Sequence, residues 1–335
     1  MSASTRLSRH IALLSACAMA LAAAIGCTPV ESLLTGGQAG GSSEELRILV
    51  PSVAGGGYDL TARTMVQALA DEGTATADVV VLPGSGGVVG LNRLVLEQGN
   101  PDLLMVMGLG VLGSVEILPS QHTLADATPI ARLMDEPEAV LVPADSPFTT
   151  LADLTSAWIQ DPSSISIGGG SSEGGPDGLF RLLLARAVGV DPSLSPARTY
   201  DGGGELLPAL LTGQVDVAAT GLGEYLDQIA AGTVRVLAVS SAQRSPAVDA
   251  PTLAELGVDV VFTNWRGLMA PPGLADDQRL RLQTLVTDLT DSPRWNELSR
   301  RNGWNSAVLT EPEFSEFLRD QSRFVAATLD AQSLN

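Results

Sequence analysis

Three glycine-rich strings carry the residues of this chain best suited to chemistry: Ala54-Gly55-Gly56-Gly57 ahead of Asp59, Gly84-Ser85-Gly86, and Gly168-Gly169-Gly170-Ser171-Ser172 ahead of Asp177. Each stands where an apolar, strand-like segment gives way to a helical pattern. A turn stripped of side chains lets a ligand approach the backbone N–H groups of the next helix, where unpaired donors and the helix dipole favour negative charge. Glycine also serves tight turning alone, and for any single loop that account suffices. Three such loops at equivalent strand ends favour anion binding, and two of them facing across a cleft would suit a molecule with a carboxylate at each end. Asp59 can act as an N-cap for the N–H groups of residues 61 or 62, or accept from a ligand hydroxyl or amine, and both roles stand. Arg63, Arg198 and Arg266 are candidate counter-charges, or surface and interlobe residues.

Two of the strings imitate enzyme motifs. Gly84-Ser85-Gly86-Gly87-Val88-Val89-Gly90 approaches a dinucleotide fingerprint, but the next strand ends at Gly108 with no acid at its tip to hold a ribose. Gly170-Ser171-Ser172-Glu173-Gly174 matches a nucleophile elbow, yet no histidine follows Ser172, as the α/β-hydrolase order requires. A hydrolase or a nucleotide-dependent enzyme built on these loops is therefore the alternative reading, not the preferred one. His122, in Pro119-Ser120-Gln121-His122-Thr123, reads as a surface loop residue.

Composition narrows the choice further. All 19 basic residues are arginine, so chemistry that needs lysine, from the P-loop to Schiff-base catalysis, is disfavoured. The two cysteines, Cys17 and Cys27, both precede residue 28, which leaves no material for disulfides, structural zinc or a cysteine nucleophile beyond that point. With 38 acids against those 19 arginines and no basic run, nucleic acid is excluded as a partner. No cofactor or metal is expected. Without lysine, an anionic ligand must be held by backbone N–H groups, hydroxyls, water and at most arginine.

The elements that must position these loops follow from periodicity. Short apolar strands are expected at 47–51, 79–82 and 103–107, with helices at 59–70 and from the second loop to residue 97. A second unit holds strands at 139–142, 165–167, 215–218 and 234–239, and helices at 151–159, 178–188, 205–212 and 225–231. The β-loop-α rhythm predicts parallel or mixed sheets covered on both faces, with ligands at the carboxyl ends of the strands. After Trp265-Arg266-Gly267 the chain turns helical, and the simplest arrangement returns these helices to the first unit. The expected division is 46–138 with 258–335 as one lobe and 139–257 as the other.

The N-terminus reads as a lipoprotein signal over residues 1–26. Arg6, Arg9 and His10 precede an uncharged apolar run over 11–25, shorter than the roughly 20 residues of a membrane span. Ala24-Ile25-Gly26-Cys27 resembles a lipobox, making Cys27 the expected diacylated residue. Leu14-Ser15-Ala16-Cys17 fits the letters better but leaves too short an apolar core. Residues 27–45, rich in Gly and Ser, read as a flexible tether. Cleavage removes two arginines and no acid from a net charge of −19, so the mature protein is more acidic still.

Taken in order, Val50-Pro51-Ser52-Val53-Ala54-Gly55-Gly56-Gly57-Tyr58-Asp59, Pro83-Gly84-Ser85-Gly86-Gly87, Tyr200-Asp201-Gly202-Gly203-Gly204-Glu205, Leu210-Leu211-Thr212-Gly213-Gln214-Val215-Asp216, Ala238-Val239-Ser240-Ser241 and Asn264-Trp265-Arg266-Gly267 resemble the solute-binding receptors of tripartite tricarboxylate transporters, the Bug-type family. The resemblance covers residues 46–330. It implies a two-lobed α/β periplasmic-binding-protein fold of the type II, Venus-flytrap kind, and a non-enzymatic, monomeric receptor that passes a citrate-like di- or tricarboxylate to membrane permease subunits. It further implies that the loops 54–59 and 170–177 grip carboxylates through main-chain groups and water, with Gly84, Ser85, Gly86, Gly108, Gly202 and Gly203 beside them. Two departures stand out: Asp177-Gly178 occupies a helix start where relatives often carry histidine, and Asp201 stands where they are often basic.

Overall fold

The computed structural model describes residues 46–333. The signal sequence, the tether and Cys27 lie outside the described residues. The first stretch runs β1 (Leu46–Val50), α1 (Gly57–Asp71), β2 (Ala77–Val81), α2 (Val88–Leu96), β3 (Leu103–Gly108) and α3 (Leu109–Ile117). β1 pairs in parallel with β2 on one side and β3 on the other. Every residue of β3 is buried, as its unbroken apolar sequence requires of a strand covered on both faces. α3 was not foreseen. It is apolar nearly all round and therefore shows no helical stripe.

β4 (Thr128–Pro143) is four times longer than the expected 139–142 strand. Pro129, Pro137 and the charges from Arg132 to Glu138 interrupt its sequence pattern, but the neighbouring strands pair with it throughout, and Arg132–Asp135 and Glu136–Arg266 form ion pairs. Beyond it come α4 (Leu151–Gln160), β5 (Ile167–Gly169), α5 (Pro176–Ala187), β6 (Ala197–Thr199), α6 (Gly203–Leu211), β7 (Val217–Gly221), α7 (Leu226–Ala230) and β8 (Val234–Val239). β9 (Thr263–Ala270), α8 (Asp276–Asp291), α9 (Pro293–Arg301), β10 (Asn305–Leu309) and α10 (Glu313–Ser333) complete the order.

One mixed sheet contains all ten strands, and β4 runs through its middle. From Thr128 to Pro137 it pairs with β9, which lies antiparallel to β3. From Glu138 onward it pairs with β7 and β8, and β7 leads in parallel to β5 and β6. The sheet thus has two halves that meet at Pro137-Glu138. Ser240 fastens the meeting point: its Oγ accepts the Glu138 N–H at 2.8 Å and donates to the Phe262 carbonyl at 2.6 Å. β4 and the segment leading into β9 are therefore tied to one fully buried hydroxyl.

α8 and α9 cover the first half, packing Leu282, Val286, Leu289 and Trp295 against Ile48, Met65 and Val106. α10 packs on α3 of the expected first unit and on β4, and reaches beyond them to α5. Its Phe314, Leu318 and Val325 join the core that includes Met105 and Phe180. Fully burying each such side chain contributes about 1.5–3 kcal/mol, so α10 stitches the two halves along one side.

Candidate functional site

The loops that follow β1, β2, β5 and β6 converge on one cavity of about 190 Å³. Among the expected site residues, Gly56, Gly57, Gly84, Ser85, Gly86, Gly170, Ser171, Ser172, Asp177 and Gly202 line it. They come from both halves of the sheet. The volume suits one small molecule rather than a dinucleotide.

Five expected residues do not line this cavity, and each has a physical reason. Asp59 is not the N-cap of α1; Gly56 is. The Asp59 carboxylate instead reaches back to the Gly55 N–H at 2.8 Å and takes Arg63 Nε at 2.9 Å, which keeps it ionised at lower pH than usual despite its burial. Ala54 and Gly55 are exposed to solvent, with the Gly55 N–H already taken by Asp59. Gly108 is a packing residue, because a Cβ there would strike the Trp265 carbonyl. Gly203 gives its N–H to Glu224 Oε2 at 3.1 Å.

A common device emerges from these bonds. Gly55 is held by Asp59, Gly170 by Asp177 Oδ2 at 2.7 Å, and Gly203 by Glu224. Three amides that the glycine loops could have offered to an anion are occupied by the chain's own carboxylates, which fix the loops in place. Donors that remain on the wall include the Ser85, Ser171 and Ser172 hydroxyls, the first-turn amides of α1, and Asn264. Gly86 shows how closely the wall is built. It adopts φ +60°, and a Cβ there would collide with Ser114 Oγ.

Arg266 is the cationic residue on the cavity wall. It lies on β9 and is only 2% exposed, ion-paired to Glu136, which is 1% exposed. Burial works against its charge, but Glu136 and Glu224 outweigh burial and hold the guanidinium protonated. Its Nε has no acceptor, and its Cζ sits 5.9 Å from the Trp304 ring centroid. Arg63 and Arg198, the other candidate counter-charges, lie elsewhere: Arg63 pairs with Asp59, and Arg198 lines a separate cavity.

Sequence reasoning missed Glu224, which enters the wall from the turn after β7. Gly221-Leu222-Gly223 at that strand end is the signal that could have found it. Burial, the charge of Glu136 and the charge of Asp177 together push the Glu224 carboxyl up to about 8. Burial likewise raises Asp177, and it raises Glu138 well above the carboxylate range, where both Glu138 oxygens lack hydrogen-bond partners. Tyr58, also on the wall, is pushed to about 12 by burial while its Oη accepts the Val111 N–H at 3.2 Å. Glu224 is therefore largely protonated near pH 7, which reduces its repulsion toward an incoming anion.

The arrangement positions hydrogen-bond donors rather than reacting groups. Ser172 Oγ lies 3.0 Å from Ser114 Oγ, so the elbow-like serine faces another hydroxyl instead of an imidazole. His122 takes no part in the wall. Among the described residues, no group of three or more His, Cys, Asp or Glu could hold a metal ion. A cavity between two sheet halves, walled by loops from each, defines a two-lobed solute-binding protein.

The comparisons give that class a family. Residues 61–334 match the model of the tripartite tricarboxylate transporter family receptor, and the chain belongs to this family. A UPF0065 protein in the tcbD-tcbE intergenic region of Pseudomonas sp. strain P51 is 26% identical over 301 residues, covering 86% of this chain and 88% of that protein. Protein BugT of Bordetella pertussis is 25% identical over 287 residues, covering 82% and 85%. Among solved structures, Rpa4515 of Rhodopseudomonas palustris with adipate aligns at TM-score 0.78 and 23% identity over 85% of this chain and 96% of that one. MatC of the same organism with bound malate aligns at 0.74 and 23% over 85% and 98%. The periplasmic binding protein BugD aligns at 0.74 and 22% over 86% and 97%, so the fold is that of the periplasmic binding proteins. A receptor of this family is an extracytoplasmic solute-binding protein, not an enzyme.

Proposed function

We propose that this receptor captures a small di- or tricarboxylate, citrate-like in charge, and delivers it to the permease subunits of a tripartite tricarboxylate transporter. The observation that carries this reading is the convergence of serine hydroxyls from both sheet halves and helix-start amides of α1 on one cavity with a buried arginine in its wall. Each carboxylate would take hydrogen bonds from the loop of one half. Capture proceeds by closure of two lobes, 46–138 with 258–335 and 139–257, without covalent chemistry. A diacylated Cys27 anchors the mature, monomeric protein to the outer face of the membrane through the tether 27–45. The malate and adipate bound to the two R. palustris relatives support a ligand with a carboxylate at each end.

A thermal-shift panel of mono-, di- and tricarboxylates tests this reading. A ligand at 100 times its dissociation constant stabilises the fold by about 2.7 kcal/mol, which is a readable rise in Tm. Stabilisation by nucleotides or other cofactors, with no response to any carboxylate, would overturn the proposal. Native mass spectrometry of the freshly purified protein would name a co-purified acid directly.

A further inference from the structure

A second cavity, of about 130 Å³, lies behind the same loop that lines the first. Its wall includes Gly168, Gly169, Glu173, Arg181, Arg198 and Thr199, and it shares Asp177 with the front cavity. Arg181 projects from α5 and is only 6% exposed, yet its Nη1 makes no hydrogen bond. A buried guanidinium nitrogen left unbonded is costly, so such a group marks a place where an acceptor belongs. Burial pulls the affinity of Arg181 for its proton down, and the carboxylate of Glu173 partly restores it. Arg198, on β6, reaches the same cavity from the opposite side and carries an exposed guanidinium.

Asp177 does not fill this space, because its carboxylate is bonded to the Gly170 N–H. What is left is a pocket walled by two arginine forks, the Glu173 carboxylate, a threonine and glycine backbone, and it is smaller than the front cavity. We infer that this pocket binds a small tetrahedral oxyanion of the sulfate or phosphate class between Arg181 and Arg198. The planar forks of arginine match such oxygens bidentately, which gives the pocket its selectivity over chloride. The inference is independent of the carboxylate reading, since neither arginine lines the front cavity.

The test is isothermal titration of the full mature chain with sodium sulfate and with sodium phosphate, in chloride buffer of matched ionic strength. One saturable site per chain is expected, about tenfold weaker in Arg198→Gln and unaffected by Gly56→Val, which obstructs the front cavity. Arg181→Gln should weaken it as well, but Arg198→Gln carries the test because it alters an exposed side chain and leaves the core untouched. Absence of saturable heat with both anions overturns the inference. So does affinity unchanged in Arg198→Gln, or loss of the site in Gly56→Val, which would locate the anion in the front cavity.

Discussion

Ser114 Oγ on α3 lies 3.0 Å from Ser172 Oγ in the loop after β5, so a hydrogen bond joins the two halves of the sheet at the rim of the cavity. One turn of contact beside it is tighter still. A Cβ on Gly113 would run into the Gly174 carbonyl, and a Cβ on Gly174 would in turn crowd Gly113. The halves approach here backbone to backbone, which only glycine on each side permits.

Gly113→Ala should therefore hold the halves apart. Alanine suits the interior of α3 better than glycine by about 1 kcal/mol, so the helix itself does not suffer. The expected result is a carboxylate affinity reduced by about tenfold or more, with a larger radius of gyration by small-angle scattering in saturating ligand. Wild-type affinity in this variant would mean that the Gly113–Gly174 contact is no part of the bound state.

Gly56→Val tests the cavity itself. Gly56 has φ −82° and ψ 176°, an extended conformation open to any residue, and a Cβ there meets nothing closer than the Val53 carbonyl at 3.7 Å. The valine side chain fills ligand space without straining the turn. Carboxylate binding should disappear while circular dichroism and the ligand-free Tm stay near wild type; retained binding would remove this loop from the site.

Much of this architecture is legible in sequence because β1, β3 and β8 are apolar strands whose burial follows from composition alone. The glycine loops are legible for a similar reason, since they fall where the short strands β1, β2 and β5 end. α3 and most of β4 are not. α3 is apolar nearly all round and so loses the stripe that betrays a helix, whereas β4 carries Arg132, Asp135 and Glu136 in a strand where these charges are answered only in three dimensions. Arg266 and Glu136 lie 130 positions apart in sequence, so nothing local announces their pairing. Glu224 escapes notice similarly, because its role arises from the company of Glu136, Asp177 and Arg266.

Ser240→Ala probes the crossing between the halves. The substitution leaves the buried Glu138 N–H without its acceptor and the Phe262 carbonyl without this donor. A buried group stranded in this way costs about 1–3 kcal/mol. Urea denaturation should show a lower midpoint at an unchanged slope. A midpoint equal to wild type would mean that the backbone bonds between Ser240 and its two neighbours suffice to hold the crossing.

Cys27→Ser bears on the anchor. If Cys27 carries the diacylglyceryl group, the wild-type chain partitions with membranes and its intact mass exceeds that of the polypeptide beginning at Cys27, while the serine variant is released or stays unprocessed. A soluble wild-type protein cleaved at another position would show that the cysteine is idle. The measurement is a mass spectrum of each fraction.

Glu224 makes the protein sensitive to alkaline pH, and the sign can be worked through. Its carboxyl is raised from an ordinary 4.5 to about 8 by burial and by the charges of Glu136 and Asp177, against the opposing pull of Arg266 and the Gly203 N–H. Between those values the folded chain holds a proton that the unfolded chain has released, so stability falls as pH rises through this window. A carboxylate ligand adds negative charge beside the same group and favours its protonated form. Binding should therefore weaken as pH passes about 8, when Glu224 ionises against the incoming anion. Glu224→Gln keeps an oxygen for the Gly203 N–H but cannot ionise, so its affinity should stay flat across that range. Its stability should still decline somewhat with pH, because burial raises Asp177 and Glu138 too. Calorimetric titrations of both proteins from pH 6 to pH 9 decide the matter: parallel affinity profiles would place the titrating group elsewhere than Glu224.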